Sequence, residues 1–192
     1  TCFDRIMEKD GSLGLSLTHA HNVLVTDSAA SGSQLATGQP SGSEMIGLDF
    51  NGNPVPNVLE HAIRLGKSTG LVTDTLVTHA TPAAFAAHQA HRKMADAIAL
   101  DMLTRGPDVL LGGGLGNWIP QEANVKDSGV RRELEEMTQG SVAIKSKRED
   151  NQNLLAMARD TGYKLVFNRS QLAGASGKVI GLFAPSAMPN AI

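Results

Sequence analysis

Short apolar, β-branched runs alternate along the chain with segments whose apolar positions recur at helical spacing. Asn22-Val23-Leu24-Val25-Thr26 reads as a buried strand. Ser28 to Thr37, rich in small residues, reads as a helix closed by Gly38. Residues 39–56 carry Gly, Pro, Ser and Asn at a density that predicts a loop. Asn57 caps a helix through Leu65, with Glu60 three positions on and Gly66 as its stop. Thr69 to Asp74 predicts a second strand, and Ala83 to Ala87 a short helix behind Pro82. Met94 to Thr104 predicts a longer helix, and Asp108 to Leu111 a third strand.

Residues 112–147 break this rhythm. They are glycine-rich, then polar and charged, and predict an insertion with one helix near Val130 to Met137. The alternation returns with a helix at Asp150 to Arg159 and strands at Tyr163 to Phe167 and Lys178 to Phe183. Strands and helices alternating at this spacing predict a single α/β domain over 1–192, layered α/β/α around a mainly parallel sheet.

Composition narrows the function classes. The chain has 192 residues, 41% of them hydrophobic, which is enough to build a core. Lys and Arg number 17 against 19 Asp and Glu, a net charge of -2. That balance argues against a nucleic-acid partner and against a polybasic membrane anchor. No run of about 18 apolar residues exists, so no transmembrane segment is expected. Cys2 is the single cysteine, which excludes an internal disulfide and a multi-thiolate zinc site. Thr1 follows no charged-then-apolar leader, and Ile192 closes no helix or strand, so both ends read as cut.

The chemistry concentrates in two segments. In Val25-Thr26-Asp27-Ser28-Ala29-Ala30-Ser31 a strand hands over to a helix with Ser28 at the junction. A helix N-terminus offers unpaired N–H groups and partial positive charge, a setting that suits phosphate. Ser28 also suits a plain helix cap. The small residues around it would let a bulky substrate approach, and Asp27 places a carboxylate beside the hydroxyl. A serine hydroxyl needs a base or a metal to attack. No Gly-x-Ser-x-Gly elbow surrounds Ser28, which disfavours an α/β-hydrolase esterase.

The second segment is Thr78-His79-Ala80-Thr81-Pro82-Ala83-Ala84, continued by His88 and Arg92. Thr81 before Pro82 also suits a helix cap. His88 and His91 read as structural or solvated, and His19 and His21 as surface residues. If Thr81 to Arg92 formed one straight helix, the two would lie about 16 Å apart along its axis. The helix must therefore break near Gln89 to His91 for Arg92 to serve the same site as Thr81. Leu111-Gly112-Gly113-Gly114 lacks the Lys-Ser/Thr ending of a P-loop and reads as a flexible turn. Arg132-Glu133-Leu134-Glu135-Glu136 reads as a solvated helix face.

The stretch from Val25 to Ser31, followed by Leu35-Ala36-Thr37-Gly38, resembles the nucleophile signature of alkaline phosphatases. The segment from Thr78 through His88 to Arg92, and the Leu-Gly-Gly-Gly run, resemble the same family. The resemblance implies an alkaline phosphatase-like α/β fold and hydrolysis of phosphate monoesters. It implies that Ser28 attacks phosphorus and becomes phosphoserine, that Asp27 orients an Arg, and that Arg92 binds substrate. It places a magnesium ligand at Thr81 and a zinc contact at the Ser28 hydroxyl. Position 79 varies in the family between Asp, in the magnesium shell, and His, so His79 implies a supporting or altered metal role.

Two zinc ions and one magnesium are the family's cofactors, and a homodimer in the periplasm or a secreted form is its usual state. One zinc would lower the pKa of the serine and the other would hold the leaving oxygen. Arg92 and the Ser28 N–H would stabilise the equatorial oxygens. The resemblance runs from about Leu17 to the end and covers the middle of the family pattern. The family's Gly-Asp-Gly aspartate and its downstream Glu, Asp and His ligands have no counterpart in these residues. The chain is thus expected to be a partial segment, inactive alone. The alternative is a non-catalytic α/β module that keeps a phosphate-binding helix end without metals. A third class, phosphodiesterases with Thr or sulfatases with Cys/Ser-x-Pro-x-Arg, is disfavoured by the Ala-Ala after Ser28.

Overall fold

Apolar runs at positions 70, 109, 164 and 179 onward become the four strands of one parallel sheet in the computed structural model, which describes residues 17–189. These are β1 (Gly70–Leu76), β2 (Val109–Gly113), β3 (Lys164–Val166) and β4 (Val179–Leu182), arranged β1-β2-β4-β3. Leu110 stands opposite both Leu71 and Ile180, so the apolar positions of three strands meet in register. β4 is buried along its whole length, as a central parallel strand covered on both faces should be. Sinking Ile180 or Leu182 there stabilises the fold by about 1.5–3 kcal/mol each. β1 forms one edge, and its Val72 is 75% exposed.

Among the described residues seven α-helices accompany the sheet: α1 (Ser28–Thr37), α2 (Val58–Arg64), α3 (Ala80–Ala84), α4 (Ala95–Arg105), α5 (Gly129–Thr138), α6 (Leu154–Asp160) and α7 (Arg169–Ala173). Most begin at a short polar side chain that accepts a backbone N–H, which satisfies donors the helix cannot pair internally. Asn57 and Glu60 form the full reciprocal box that their spacing predicts. Gly38 ends α1 at φ 71, a left-handed stop open to glycine. The alternating α/β reading holds, with α7 as an unforeseen extra turn.

Three local expectations change. Asn22–Thr26 is not a strand. Val23 bridges back to Ala20 in a tight turn, and Leu24 and Val25 are 90% and 88% exposed. An apolar run becomes a strand only when another strand supplies its hydrogen bonds, and among the described residues none lies beside it. The Gly run is not a flexible turn either: Gly112 and Gly113 close β2. A Cβ on Gly113 would overlap the Ser186 carbonyl oxygen, so the missing side chain lets the last segment cross the strand end. Finally, segment 112–147 is not merely polar. Leu115, Trp118, Ile119, Leu134 and Ile144 join the common buried cluster. Arg148, itself buried, clamps that segment by donating to both Asp150 oxygens at 2.6 and 2.7 Å and to the Asn117 carbonyl at 3.1 Å.

Candidate active site

The N-terminus of α1 sets the geometry. Asp27, extended at φ -91 and ψ 171, is the cap. Its Oδ2 accepts the Ala29 N–H at 2.8 Å and its Oδ1 the Ala30 N–H at 3.3 Å. Ser28 is therefore the first helical residue rather than the cap, and its hydroxyl is released from local bonding. The Ser28 Oγ instead accepts Arg92 Nη1 at 2.8 Å. The same Nη1 reaches Asp27 Oδ2 at 3.2 Å, and Nη2 donates to His79 Nε2 at 3.4 Å.

Arg92 reaches this point because the chain leaves the helix early. α3 ends at Ala84, and no helix resumes until Ala95. A break is present, as Arg92 requires, but it falls after Ala84 rather than near Gln89 to His91. The intervening segment is pinned at several points. His88 N–H and Gln89 Nε2 both donate to Asp101 Oδ2 at 2.9 Å. The buried His88 ring faces the Gly47 carbonyl through Nδ1 at 2.7 Å and Glu60 Oε2 through Nε2 at 3.2 Å. Gln89 and Ile46 exchange a reciprocal pair of backbone hydrogen bonds at 2.9 Å, and the Arg92 N–H donates to the Glu44 carbonyl at 2.8 Å. His88 is thus structural, as its sequence context suggests.

The Asp27 carboxyl is held below the ordinary aspartate value. Partial burial pushes it up, but the Glu44, Ala29 and Ala30 amides and the Arg92 guanidinium together outweigh that. The Asp27 and Arg92 side chains are only 19% and 21% exposed, so their attraction is less screened than a surface pair. The arrangement presents a hydroxyl and a fixed cation side by side at a helix N-terminus, groups that suit a tetrahedral anion.

Of the residues singled out in the sequence, Ser28, Asp27, Arg92 and His79 form one connected group. Thr81 is not bonded to them. It is the second residue of α3, whose cap position belongs to His79, so its expected capping role is not realised. It nevertheless lies beside α1: a Cβ on Gly32 would stand 3.6 Å from the Thr81 Cα and 3.1 Å from the Ala84 Cβ. Sequence reading missed Glu44, whose N–H donates to Asp27 Oδ1 at 3.0 Å. Its neighbours in sequence signal only a loop.

Among the described residues, no three His, Cys, Asp or Glu side chains converge on a point that could hold a metal. Both Asp27 oxygens are taken by amides and Arg92. Of Ser28, His79 and Thr81 only His79 is of the His, Cys, Asp or Glu type from which a zinc ion takes its three or four protein ligands. These residues alone do not fit a metal centre.

Known proteins share both pattern and fold. The alkaline phosphatase family profile matches residues 3–192. Alkaline phosphatase 4 of Bacillus subtilis is 38% identical over 176 residues, 86% of this chain and 37% of that protein. The cold-active alkaline phosphatase of a Shewanella species superposes over 98% of this chain and 39% of its own, at TM-score 0.72 and 34% identity. A variant of the alkaline phosphatase from the Antarctic bacterium TAB5, with magnesium bound in its M3 site, superposes over 97% of this chain and 51% of its own, at TM-score 0.73 and 25% identity. The chain thus spans between about a third and a half of these relatives' lengths. A match along nearly every described residue, on the same parallel sheet, means that this chain belongs to the alkaline phosphatase family.

Proposed function

We propose that the polypeptide carrying this chain hydrolyses phosphate monoesters, with Ser28 as nucleophile and a phosphoserine intermediate. The observation that carries this reading is the Arg92 guanidinium lying 2.8 Å from the Ser28 hydroxyl at the start of α1. The planar fork that meets Ser28, Asp27 and His79 is the group that would take two phosphate oxygens. Asp27 restrains one arm of that fork and so orders the cation before substrate arrives. Among the described residues the hydrogen-bond partner of Ser28 Oγ is Arg92, which stabilises an alkoxide but takes no proton.

Two zinc ions and one magnesium are the expected cofactors, and magnesium in the M3 site of the TAB5 variant supports a metal requirement. We assign Thr81 and His79 to the magnesium side and the Ser28 hydroxyl to a zinc. Since these donors do not make a complete set, no step of the reaction is derived through a metal. Small phosphate monoesters as substrates, a homodimer and a periplasmic or secreted location are part of the same proposal, as expectations for the family. Among the described residues no helix is long and apolar enough to cross a membrane.

The test is acid quenching of the full polypeptide with a labelled phosphate ester, followed by peptide mapping. Label is expected on Ser28. Ser28→Ala should abolish labelling and turnover, and Arg92→Ala should weaken substrate binding by about 10- to 100-fold, the worth of a charge-assisted hydrogen bond. Full turnover by Ser28→Ala would refute Ser28 as the nucleophile, and phosphate binding by the parent with neither label nor turnover would favour the other reading, a non-catalytic phosphate-binding module.

A further inference from the structure

We propose that Glu44 is a positioning residue whose left-handed peptide unit ties the cap of α1 to the backbone of Arg92. This inference rests on reading Ser28 and Arg92 as a phosphate site. Glu44 sits at φ 66, in a region that side chains other than glycine's seldom adopt. Among the described residues two others share that region, Asp127 and Gln139, and Gln139 simply ends α5. Glu44 does something different. Its N–H donates to Asp27 Oδ1 at 3.0 Å while its carbonyl accepts the Arg92 N–H at 2.8 Å. One residue thereby joins the two elements that carry the nucleophile and the cation.

The surroundings fix the loop so that this residue must make the turn. Just beyond it, Ser33 of α1 holds the loop from one side: its Oγ donates to the Met45 carbonyl at 3.1 Å and accepts the Gly47 N–H at 2.8 Å. From the other side, Ile46 pairs with Gln89 and the Gly47 carbonyl meets His88. Gly47 is itself left-handed at φ 61, and a Cβ there would overlap the Ala87 carbonyl oxygen. With residues 45–47 clasped on both sides, a change of φ at residue 44 cannot be absorbed downstream. It would swing the 44 N–H off Asp27 or the 44 carbonyl off Arg92. Among the described residues the Glu44 carboxylate contributes a contact to His91, 3.5 Å away, and both side chains there are more than a third exposed. The backbone turn, not the acid, is the working part.

The experiment compares Glu44→Gly, Glu44→Gln, Glu44→Val and Arg92→Ala in the full polypeptide. It reads the inhibition constant of inorganic phosphate against turnover of a chromogenic ester, with thermal melting alongside. Glycine keeps the turn, and Glu44→Gly and Glu44→Gln are expected to stay within about twofold of the parent. A β-branched residue resists left-handed backbone, so Glu44→Val is expected to weaken phosphate inhibition about tenfold while melting falls by only the few degrees that one lost cap contact is worth. Phosphate inhibition unchanged in Glu44→Val, or lost equally in Glu44→Gly, overturns the proposal. Arg92→Ala separates the two ideas: if it leaves phosphate inhibition untouched, the phosphate-site reading fails instead. Amide hydrogen exchange on the parent protein needs no variant. Slow exchange of both the Glu44 and Arg92 amides is expected, and fast exchange at either overturns the proposal even if Glu44→Val does not fold.

Discussion

Asp27→Ala removes one side chain from four hydrogen bonds, and the loss can be worked bond by bond. The cap on the Ala29 and Ala30 amides is worth about 1 kcal/mol. The Glu44 amide loses its acceptor in a partly buried position, about 1 kcal/mol more. The 3.2 Å contact with Arg92 is still about a fifth exposed on each side, so it adds no more than about 0.5 kcal/mol. The sum is about 2.5 kcal/mol, or a fall in melting temperature of about 5–10 °C for a domain of this size. Asp27→Asn keeps a good cap and should cost about 1 kcal/mol or less. Urea unfolding followed by circular dichroism reads both as midpoint shifts at unchanged slope.

The pH dependence gives a second handle on the same side chain. The folded pKa of Asp27 lies below its usual 3.8, so the unfolded chain takes up the proton first as pH falls. Its stabilisation is therefore complete above the unfolded value and is lost as pH drops through the folded one. The gap between parent and Asp27→Ala should be full at neutral pH and shrink below about pH 4. Equal midpoints for the Asn and Ala variants would refute the reasoning, because charge rather than capping would then dominate. A gap that widens in acid would refute it as well.

Two further outcomes follow from the same geometry. Burial, with a smaller contribution from Asp108, pushes the Tyr163 hydroxyl up to about 12, and it donates to the Pro107 carbonyl at 2.6 Å. A raised folded pKa stabilises below the unfolded value near 10 and is lost as pH climbs toward 12, so alkaline melting curves should fall across that window and Tyr163→Phe should flatten the fall; a parent phenol that titrates near 10 by ultraviolet absorbance counts against it. Calorimetric zinc titration of the 192-residue chain should show no tight stoichiometric binding and no ester turnover, since no three ligands converge among the described residues; tight binding with turnover would contradict this.

Much of the local structure was legible because its causes are local. Asn57 and Glu60 announce their helix through a side-chain and backbone exchange that involves only four residues. Gly38 and Gly66 mark helix ends through a backbone preference of their own, at φ 71 and φ 66. A break before Arg92 followed from the helix rise once Arg92 was given a place beside Thr81, although its position after Ala84 did not. The 22–26 run failed because a strand is a property of two chains, and an apolar pattern carries no information about whether a neighbour is present. The roles of Asp27 and Ser28 at the helix start were ambiguous for a related reason. Either residue can cap in isolation, and the contacts of Asp27 with Glu44 and Arg92, 17 and 65 positions away, accompany the choice.

By itself, then, the sequence determined the parallel α/β class, the helix boundaries set by caps and glycines, and the Ser28 and Arg92 motifs that mark the family. Only the tertiary structure decided that Asp27 caps while Ser28 is left to meet Arg92, that His79 meets the other terminal nitrogen of the guanidinium, and that Glu44 bonds to both Asp27 and Arg92. The physical reason is range. Capping, helix rise and backbone preference act within a few residues, whereas the site is held by hydrogen bonds that span up to 65 positions and exist only once α1, the 44–47 loop and the 88–92 segment have packed together.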